Sequence, residues 1–134
     1  MAAVAASQGI KSDLIPGIAT AFCSGFSETG GVCGALNGAV LAVSMVEGRR
    51  TTKDKRESVY TKTRQLVQIF QDKFQATKCP DLLQIDLGTP GASEEYQARG
   101  LHKQCETYIR EMAYAAAELL QEDSNSGQSN QEIP

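Results

Sequence analysis

The residues best suited to chemistry are four cysteines, Cys23, Cys33, Cys79 and Cys105, in a chain of 134 residues that has a single histidine. Cysteine thiolates attack disulfides and bind soft metals, and a reducing compartment keeps thiols free for either role. The spacing contains no C-x-x-C, which argues against a thioredoxin-type dithiol and against a zinc ribbon. A shared site must therefore be assembled from separate parts of the chain.

Cys33 has the most informative position, because it lies at the predicted start of a helix, just after a turn with glycines at positions 30 and 31. Unpaired backbone N–H groups and the helix dipole stabilise a thiolate at such a place. Gly34 directly after it leaves room for a ligand or for a second sulfur. The competing interpretation is a small core residue beside a packing glycine.

The other three cysteines are each open to two interpretations. Cys23 precedes Cys33 by ten residues, and the intervening turn can bring the two sulfurs together. Cys79 precedes a proline, which favours an extended backbone in a turn between helices, a common setting for a ligand. Cys105 lies on the apolar stripe of the last helix, and His102, three residues earlier, makes a weak His/Cys ligand pair feasible. Core packing is the alternative for each of these cysteines.

The elements that must position these cysteines are helices, and the pattern predicts an all-α fold. We expect a compact bundle of about four main helices, with a short irregular segment before the last one. The predicted main helices cover residues 12–29, 32–47, 57–77 and 101–121, with a short turn at 81–83 and a short helix at 93–100. Their apolar faces include Leu14 and Ile18 in the first helix, Leu66 and Phe70 in the third, and Ile109 in the last. Helix 32–47 is rich in small residues, and its two interior glycines cost about 1 kcal/mol each relative to alanine. Close approach of another backbone would offset that cost, so this helix is expected to be central.

Composition and net charge limit the classes of binding partner and the cellular location that we expect. The formal net charge of −3 and the pI near 5.1 argue against nucleic acid or anionic lipid as the main ligand. The basic run 49–56 is interrupted by Asp54 and is expected to be a solvated connector. No apolar run approaches the roughly 20 residues of a membrane helix, and the N-terminus lacks the basic region of a signal peptide, which predicts a cytoplasmic protein with no membrane partner. The expected organisation is an N-terminal extension over 1–11, one helical domain over 12–121 and a disordered polar tail over 122–134.

The segment Phe22–Val40 resembles a known family through its motif Cys-Gly-Ala-x-x-Gly at Cys33–Gly38. The family is the C_GCAxxG_C_C family, named for its cysteine pattern and described as redox-active. The motif here is a variant, because valine precedes its cysteine and glycine follows it. The resemblance continues to Cys79 and Cys105 and covers about residues 15–120.

This resemblance implies that Cys33, Cys79 and Cys105 occupy cysteine positions of the family, with Cys23 as a candidate fourth. It also implies that Gly34 and Gly38 belong to the small-residue helix beside a bound group. An iron–sulfur cluster or zinc is the implied cofactor, and thiol/disulfide cycling remains open.

Two hypotheses of different classes follow. The first is a redox-active cysteine protein with a redox partner that the sequence does not identify. It acts through the three motif cysteines, with His102 as a weaker further ligand. The second is a non-catalytic helical interaction module, for example a homodimer, whose cysteines are core residues and whose interface uses the small-residue helix with Phe70 and Phe74. The sequence leaves open whether the protein is an enzyme.

Overall fold

The computed structural model describes residues 1–126, with side chains described up to residue 122, and its regular structure is helical. The predicted all-α fold class is confirmed, and within residues 1–126 the only β-type pairing is an isolated antiparallel bridge between Val32 and Lys78. Seven segments are right-handed helices, and α3 winds left-handed. The element order is α1 (Ala2–Ser7), α2 (Leu14–Thr20), α3 (Cys23–Glu28), α4 (Gly34–Glu47), α5 (Glu57–Phe74), α6 (Cys79–Leu83), α7 (Ala92–Ala98) and α8 (His102–Ser126).

The core is built around α4, which packs most extensively against α8 and next against α5. α5 places Leu66 and Phe70 inward at helical spacing, and both are fully buried. Phe70 and Phe74 pack edge-on at 4.9 Å between ring centroids, and Phe74 meets the Tyr108 ring at 4.6 Å. The sequence offered Phe70 and Phe74 as an interface surface. Phe70 is instead part of the bundle core, and Phe74 is half-buried against it.

The prediction that α4 is approached closely by other backbones is confirmed. A Cβ atom at Gly34 would lie 3.1 Å from the Cys23 Cα and 3.1 Å from the Phe22 carbonyl oxygen. A Cβ atom at Gly38 would lie 3.5 Å from the backbone nitrogen of Met1. Gly34 therefore admits the backbone at the start of α3, which offsets its low helix propensity, whereas the contact at Gly38 is an ordinary van der Waals distance that an alanine would tolerate.

The prediction of one amphipathic helix over 12–29 was wrong. The right-handed helix α2 ends at Thr20, and Leu14 and Ile18, assigned to its buried face, are 68% and 52% exposed. The backbone from Ser24 to Ser27 then takes positive φ angles of 51°, 62°, 58° and 55°. Left-handed conformations cost about 1–2 kcal/mol for each residue with a Cβ atom. Side-chain and backbone bonds within and beside the turn offset part of this cost: Ser27 Oγ donates to the Ala21 carbonyl (2.9 Å), and the Gly31 N–H donates to the Gly25 carbonyl (2.9 Å).

Both ends of the described chain differ from expectation. The segment 1–11, expected to precede the domain, contains α1, which contacts α4 and α8 and buries Val4 to 2% exposure. Six small residues give no amphipathic stripe from which this helix could be recognised. α8 continues five residues past the expected end at 121, and the rest of the predicted tail, 127–134, lies outside the described residues. Ile109, assigned to the buried face of α8, is exposed.

Among the described residues, no helix is both long enough and apolar enough to cross a membrane.

Candidate cysteine site

A short antiparallel pairing positions two of the cysteines. The Cys33 N–H donates to the Thr77 carbonyl (2.8 Å), and the Cys79 N–H donates to the Gly31 carbonyl (2.9 Å), on either side of the bridge between residues 32 and 78. In this register Cys33 and Cys79 are diagonal neighbours, and side chains so related point to the same side of a strand pair. Two segments far apart in sequence thus bring two thiols to one place.

All four cysteines lie at or near the N-terminus of a helical segment and line one cavity of about 400 Å³. Cys33 is the N-cap residue of α4, Cys79 is the first residue of α6, and Cys23 is the first residue of α3, while Cys105 lies in the first turn of α8. All four are free thiols: Cys33 and Cys79 are buried, Cys105 is half-buried and Cys23 is exposed. The cavity therefore runs from a buried pair of thiols to an exposed one.

Two glycines keep the walls of the cavity close to the sulfurs. A Cβ atom at Gly25, in the left-handed turn, would lie 2.5 Å from the Cys79 Cβ and 3.5 Å from its sulfur. Gly34 admits the backbone of Cys23 in the same way. Because any side chain at Gly25 would collide with Cys79, the left-handed turn and the cysteine site are parts of one arrangement.

Burial governs the charge of the thiols. Burial raises the pKa of Cys33, and the backbone N–H groups of Ala35 and Leu36 at the start of α4 lower it in partial opposition. Burial, followed by repulsion from Cys33 and Cys105, raises the pKa of Cys79 to about 11. The sequence correctly indicated that the helix start favours a thiolate at Cys33. It did not anticipate that desolvation would exceed this effect.

The lining of the cavity lacks positive charge. Among the described residues that line it there is no lysine, arginine or histidine, while Glu28 adds a carboxylate. Reactive cysteines usually have a basic neighbour or a metal that stabilises the thiolate. Without a ligand, the two buried thiols are therefore protonated and unreactive at neutral pH.

Tyr96 is a cavity residue that sequence reasoning missed. It lies on the short helix α7, is half-buried, and its hydroxyl interacts with the Cys105 thiol. Burial and this contact with Cys105 raise the pKa of Tyr96 to about 12. A lone tyrosine in a polar seven-residue helix gives no sequence signal of such a role, because the contact depends on how α7 packs beside α8.

The other candidate site residues lie at different places. Gly34 lines the cavity with the cysteines, whereas Gly38 lies one turn further along α4, against the N-terminus of the chain. His102 is exposed at the start of α8 and does not line the cavity. In the described part of the chain, no three His, Cys, Asp or Glu side chains stand close enough together to hold a metal ion in their present positions.

Comparison with known proteins identifies a family. A family model matches residues 1–119, and its description is "Putative redox-active protein (C_GCAxxG_C_C)". The pattern in that description has a lone cysteine, a motif cysteine and two further cysteines, the same order as Cys23, Cys33, Cys79 and Cys105. No curated protein and no solved structure shows significant similarity to the chain. Because the match includes all four cysteines and nearly the whole chain, the protein belongs to the C_GCAxxG_C_C family.

Proposed function

We propose that this is a redox-active protein that binds an iron–sulfur centre through Cys33, Cys79 and Cys105, with Cys23 as the fourth donor at the exposed rim. The single observation that carries the proposal is the convergence of all four cysteines on one cavity. Cysteines that only fill the core would each occupy a separate gap between helices. Packing alone would therefore not bring four of them to one cavity. Their arrangement around one space supports a shared ligand set.

The chemistry of the donors fits such a centre. Thiolates are the ligands that select iron–sulfur clusters, zinc and copper(I), and the only histidine lies outside the cavity. Zinc has no redox chemistry, so membership of a redox-active family favours iron–sulfur over zinc. When bound, an iron–sulfur cluster supplies reversible one-electron transfer. The thiols must close in slightly to ligate it, since no three of the described donors stand at ligating distance.

The raised pKa values of the thiols favour a bound metal cation over a metal-free dithiol at this site. Thiols with raised pKa values beside one another need a positive charge before they can ionise, and the cavity supplies none. A bound metal provides that charge, and its binding releases the thiol protons. A buried nucleophilic thiol would instead need a basic neighbour.

The geometry also disfavours a disulfide between the two buried cysteines. Diagonal neighbours across an antiparallel pair have Cα atoms about 7–8 Å apart, whereas disulfides span about 4.4–6.8 Å. Cys33 and Cys79 hold this diagonal relation, and their backbones are fixed by the two hydrogen bonds beside the bridge. A shared ligand can lie between two sulfurs that a direct bond does not reach.

The surrounding residues of this chain have identifiable parts in the proposed site. Gly25 and Gly34 keep the backbone close to the sulfurs. Leu83 and Leu87 give the cavity apolar walls that exclude water. The Tyr96 hydroxyl orients the Cys105 sulfur by its hydrogen bond. Hydrogen bonds to sulfur and exclusion of solvent are two of the factors that set the potential of an iron–sulfur centre.

A second candidate is thiol/disulfide exchange through Cys23 and Cys33. Gly34 brings the backbone next to Cys33 within contact of the Cys23 Cα, and Cys23 is exposed to a partner. In that case an external disulfide would be reduced while these two thiols are oxidised to a disulfide. The reaction would need no metal.

The test is the iron, zinc and acid-labile sulfide content of protein purified without oxygen, compared among Cys33→Ser, Cys79→Ser, Cys105→Ser and Ala42→Ser. Ala42 is fully buried in α4 but does not line the cavity, so its variant controls for a hydroxyl placed in the core. We expect iron with sulfide in the wild type and in Ala42→Ser, and loss of both in the three cysteine variants.

Two other results would contradict the proposal. Metal-free protein with four titratable thiols, even after supply of iron and sulfide, would exclude the cluster. Reversible loss of two thiols at Cys23 and Cys33, seen by mass spectrometry, would then support the exchange reaction. If cysteine variants lost only stability and matched Ala42→Ser in every other respect, the cysteines would be core residues of an interaction module.

A further inference from the structure

A second cavity lies at the other end of α4, in the loop that leads to α5. It has a volume of about 590 Å³. The basic run 49–56, which the sequence predicts as a solvated connector, forms most of its wall. No acidic side chain of the described residues lines this cavity. Its lining comprises Ser44, Gly48, Arg49, Arg50, Thr51, Thr52, Arg56, Val59 and Tyr60.

The one carboxylate inside the basic run shapes the loop. Asp54 accepts hydrogen bonds from the backbone N–H groups of Arg50 (2.7 Å) and Thr51 (2.9 Å), and a third from the Thr51 hydroxyl (2.9 Å). The residues from 49 to 57 include five basic and two acidic side chains, a net charge of +3, in a chain whose total is −3. The loop is therefore a local concentration of positive charge on an acidic protein.

The three arginines that line the cavity have guanidinium groups available to bind a ligand. Arg56 lies over the Tyr60 ring at 4.9 Å from its centroid, a contact that leaves its N–H donors available at the edge. Arg49 makes one long hydrogen bond, to the Thr52 carbonyl at 3.5 Å. Among the ion pairs formed by the described residues, none involves Arg49, Arg50 or Arg56. Three arginines thus line one cavity without a close ion pair, and the Asp54 and Glu57 carboxylates act on Arg49 and Arg56 only through longer-range attraction.

We propose that this cavity binds a phosphate group, either as inorganic phosphate or on a small phosphorylated molecule. Guanidinium is planar and presents paired N–H donors that match two phosphate oxygens. Thr52 adds a hydroxyl group to the same wall, whereas the Thr51 hydroxyl already donates to Asp54. The cavity has room for a phosphate ester as well as for the free ion.

This site is separate from the cysteine cavity. α4 has 14 residues, which is about 21 Å at 1.5 Å per residue, with Cys33 capping one end and Gly48 ending the other. A phosphate bound here does not touch the cysteines. Phosphate binding here can therefore be tested independently of the iron–sulfur proposal.

The test is isothermal titration of inorganic phosphate, and separately of ADP, into the full chain at constant ionic strength. We expect saturable binding of at least one of the two, one molecule per chain. Arg49→Ala/Arg56→Ala should weaken it by about tenfold or more, the effect of losing charge-assisted hydrogen bonds. Lys53→Ala/Lys55→Ala removes the same charge from the same loop, but neither lysine lines the cavity, so binding should change by less than about threefold.

The titrations either identify the ligand or exclude the site. Tighter binding of inorganic phosphate identifies the free ion as the ligand, and tighter binding of ADP identifies a phosphate ester. Absence of saturation with both would overturn the proposal. Equal weakening by the arginine and lysine pairs would also overturn it, because the loop would then attract anions only by its net charge. Circular dichroism of each variant shows whether the fold is intact.

Discussion

The two ends of α4 carry opposite kinds of chemistry. At its N-terminal end, four thiols from four segments surround a cavity without a positive charge, and two of them are buried. At its C-terminal end, three arginines from one short loop line an open cavity without a negative charge. The thiol end depends on tertiary packing, and the arginine end depends on a local turn held by Asp54. Burial therefore keeps the thiols protonated at one end, whereas the guanidinium groups stay charged at the other.

The two ends of α4 also differ in the backbone conformations and contacts that they require. The thiol end requires a left-handed turn, a glycine against Cys79 and an isolated β-bridge. The arginine end requires only hydrogen bonds between neighbours in sequence. Substitutions at the thiol end should therefore be the more costly.

The largest expected effect is that of Gly25→Ala. Gly25 and Gly100 share a φ of +62°, but a Cβ atom at Gly25 would lie 2.5 Å from the Cys79 Cβ, whereas one at Gly100 meets nothing within 4 Å. We expect Gly25→Ala to lower the free energy of unfolding by about 2–5 kcal/mol and Gly100→Ala by about 1–2 kcal/mol. Urea unfolding measures both, and equal losses would show that the thiol end is not tightly packed.

A smaller effect is expected in the alkaline stability of the metal-free protein. The pKa of Cys79 is raised to about 11 in the folded state from an ordinary value of 9.0, so folding favours the protonated thiol. Its contribution to stability is complete below about pH 9 and is lost as the pH rises toward 11. The stability advantage of the wild type over Cys79→Ala should shrink across this range. A difference that stays constant from pH 8 to 11 would contradict a buried, neutral Cys79.

At acid pH, an effect on stability is expected at the arginine end of α4. Hydrogen bonds from the backbone and side chain of Thr51 and from the Arg50 backbone lower the pKa of Asp54. The stabilisation it gives the loop is therefore present above the ordinary carboxyl pKa near 4 and is lost as the pH falls below it. The protection factors of the Arg50 and Thr51 amides, which correct for slower intrinsic exchange in acid, should fall there without loss of the core.

The smallest effect is expected from Tyr96→Phe, which removes the hydroxyl that binds the Cys105 sulfur. One hydrogen bond is worth about 1 kcal/mol, so the metal-free fold should lose about that much stability. In the loaded protein the centre should become harder to reduce, because hydrogen bonds to sulfur stabilise the reduced, more negative state. Tyr114→Phe is the matched control, since Tyr114 is exposed and lies outside the cysteine cavity. Equal potentials in the two variants would remove Tyr96 from the site.

Sequence patterns predicted the parts of the fold that local rules decide. The stripe of Leu66 and Phe70 indicated α5, and the small residues from Gly34 onward indicated a central helix that another backbone approaches. The cysteines were recognisable as candidates from their residue type, and Cys33 also from its position at a predicted helix start. For these features a few neighbouring residues carry the information.

The features that were not predicted depend on contacts distant in sequence. Gly25, within the left-handed turn from Ser24 to Ser27, packs against Cys79, which begins α6, three helices further along the chain. Tyr96 reaches Cys105 only because α7 packs beside α8. The balance at Cys33 between burial and the N–H groups of α4 also requires knowledge of the surrounding packing.

X-ray absorption at the iron edge of the anaerobically loaded protein tests the central claim most directly, because it counts the atoms bound to the metal. The account predicts a shell of sulfur at about 2.3 Å, as expected for metal–thiolate bonds, in the wild type and unchanged in Ala42→Ser, whereas Cys105→Ser retains too little iron to show one. A shell of oxygen or nitrogen alone, or a spectrum that Cys105→Ser leaves unaltered, would show that the convergence of the cysteines does not make a ligand set.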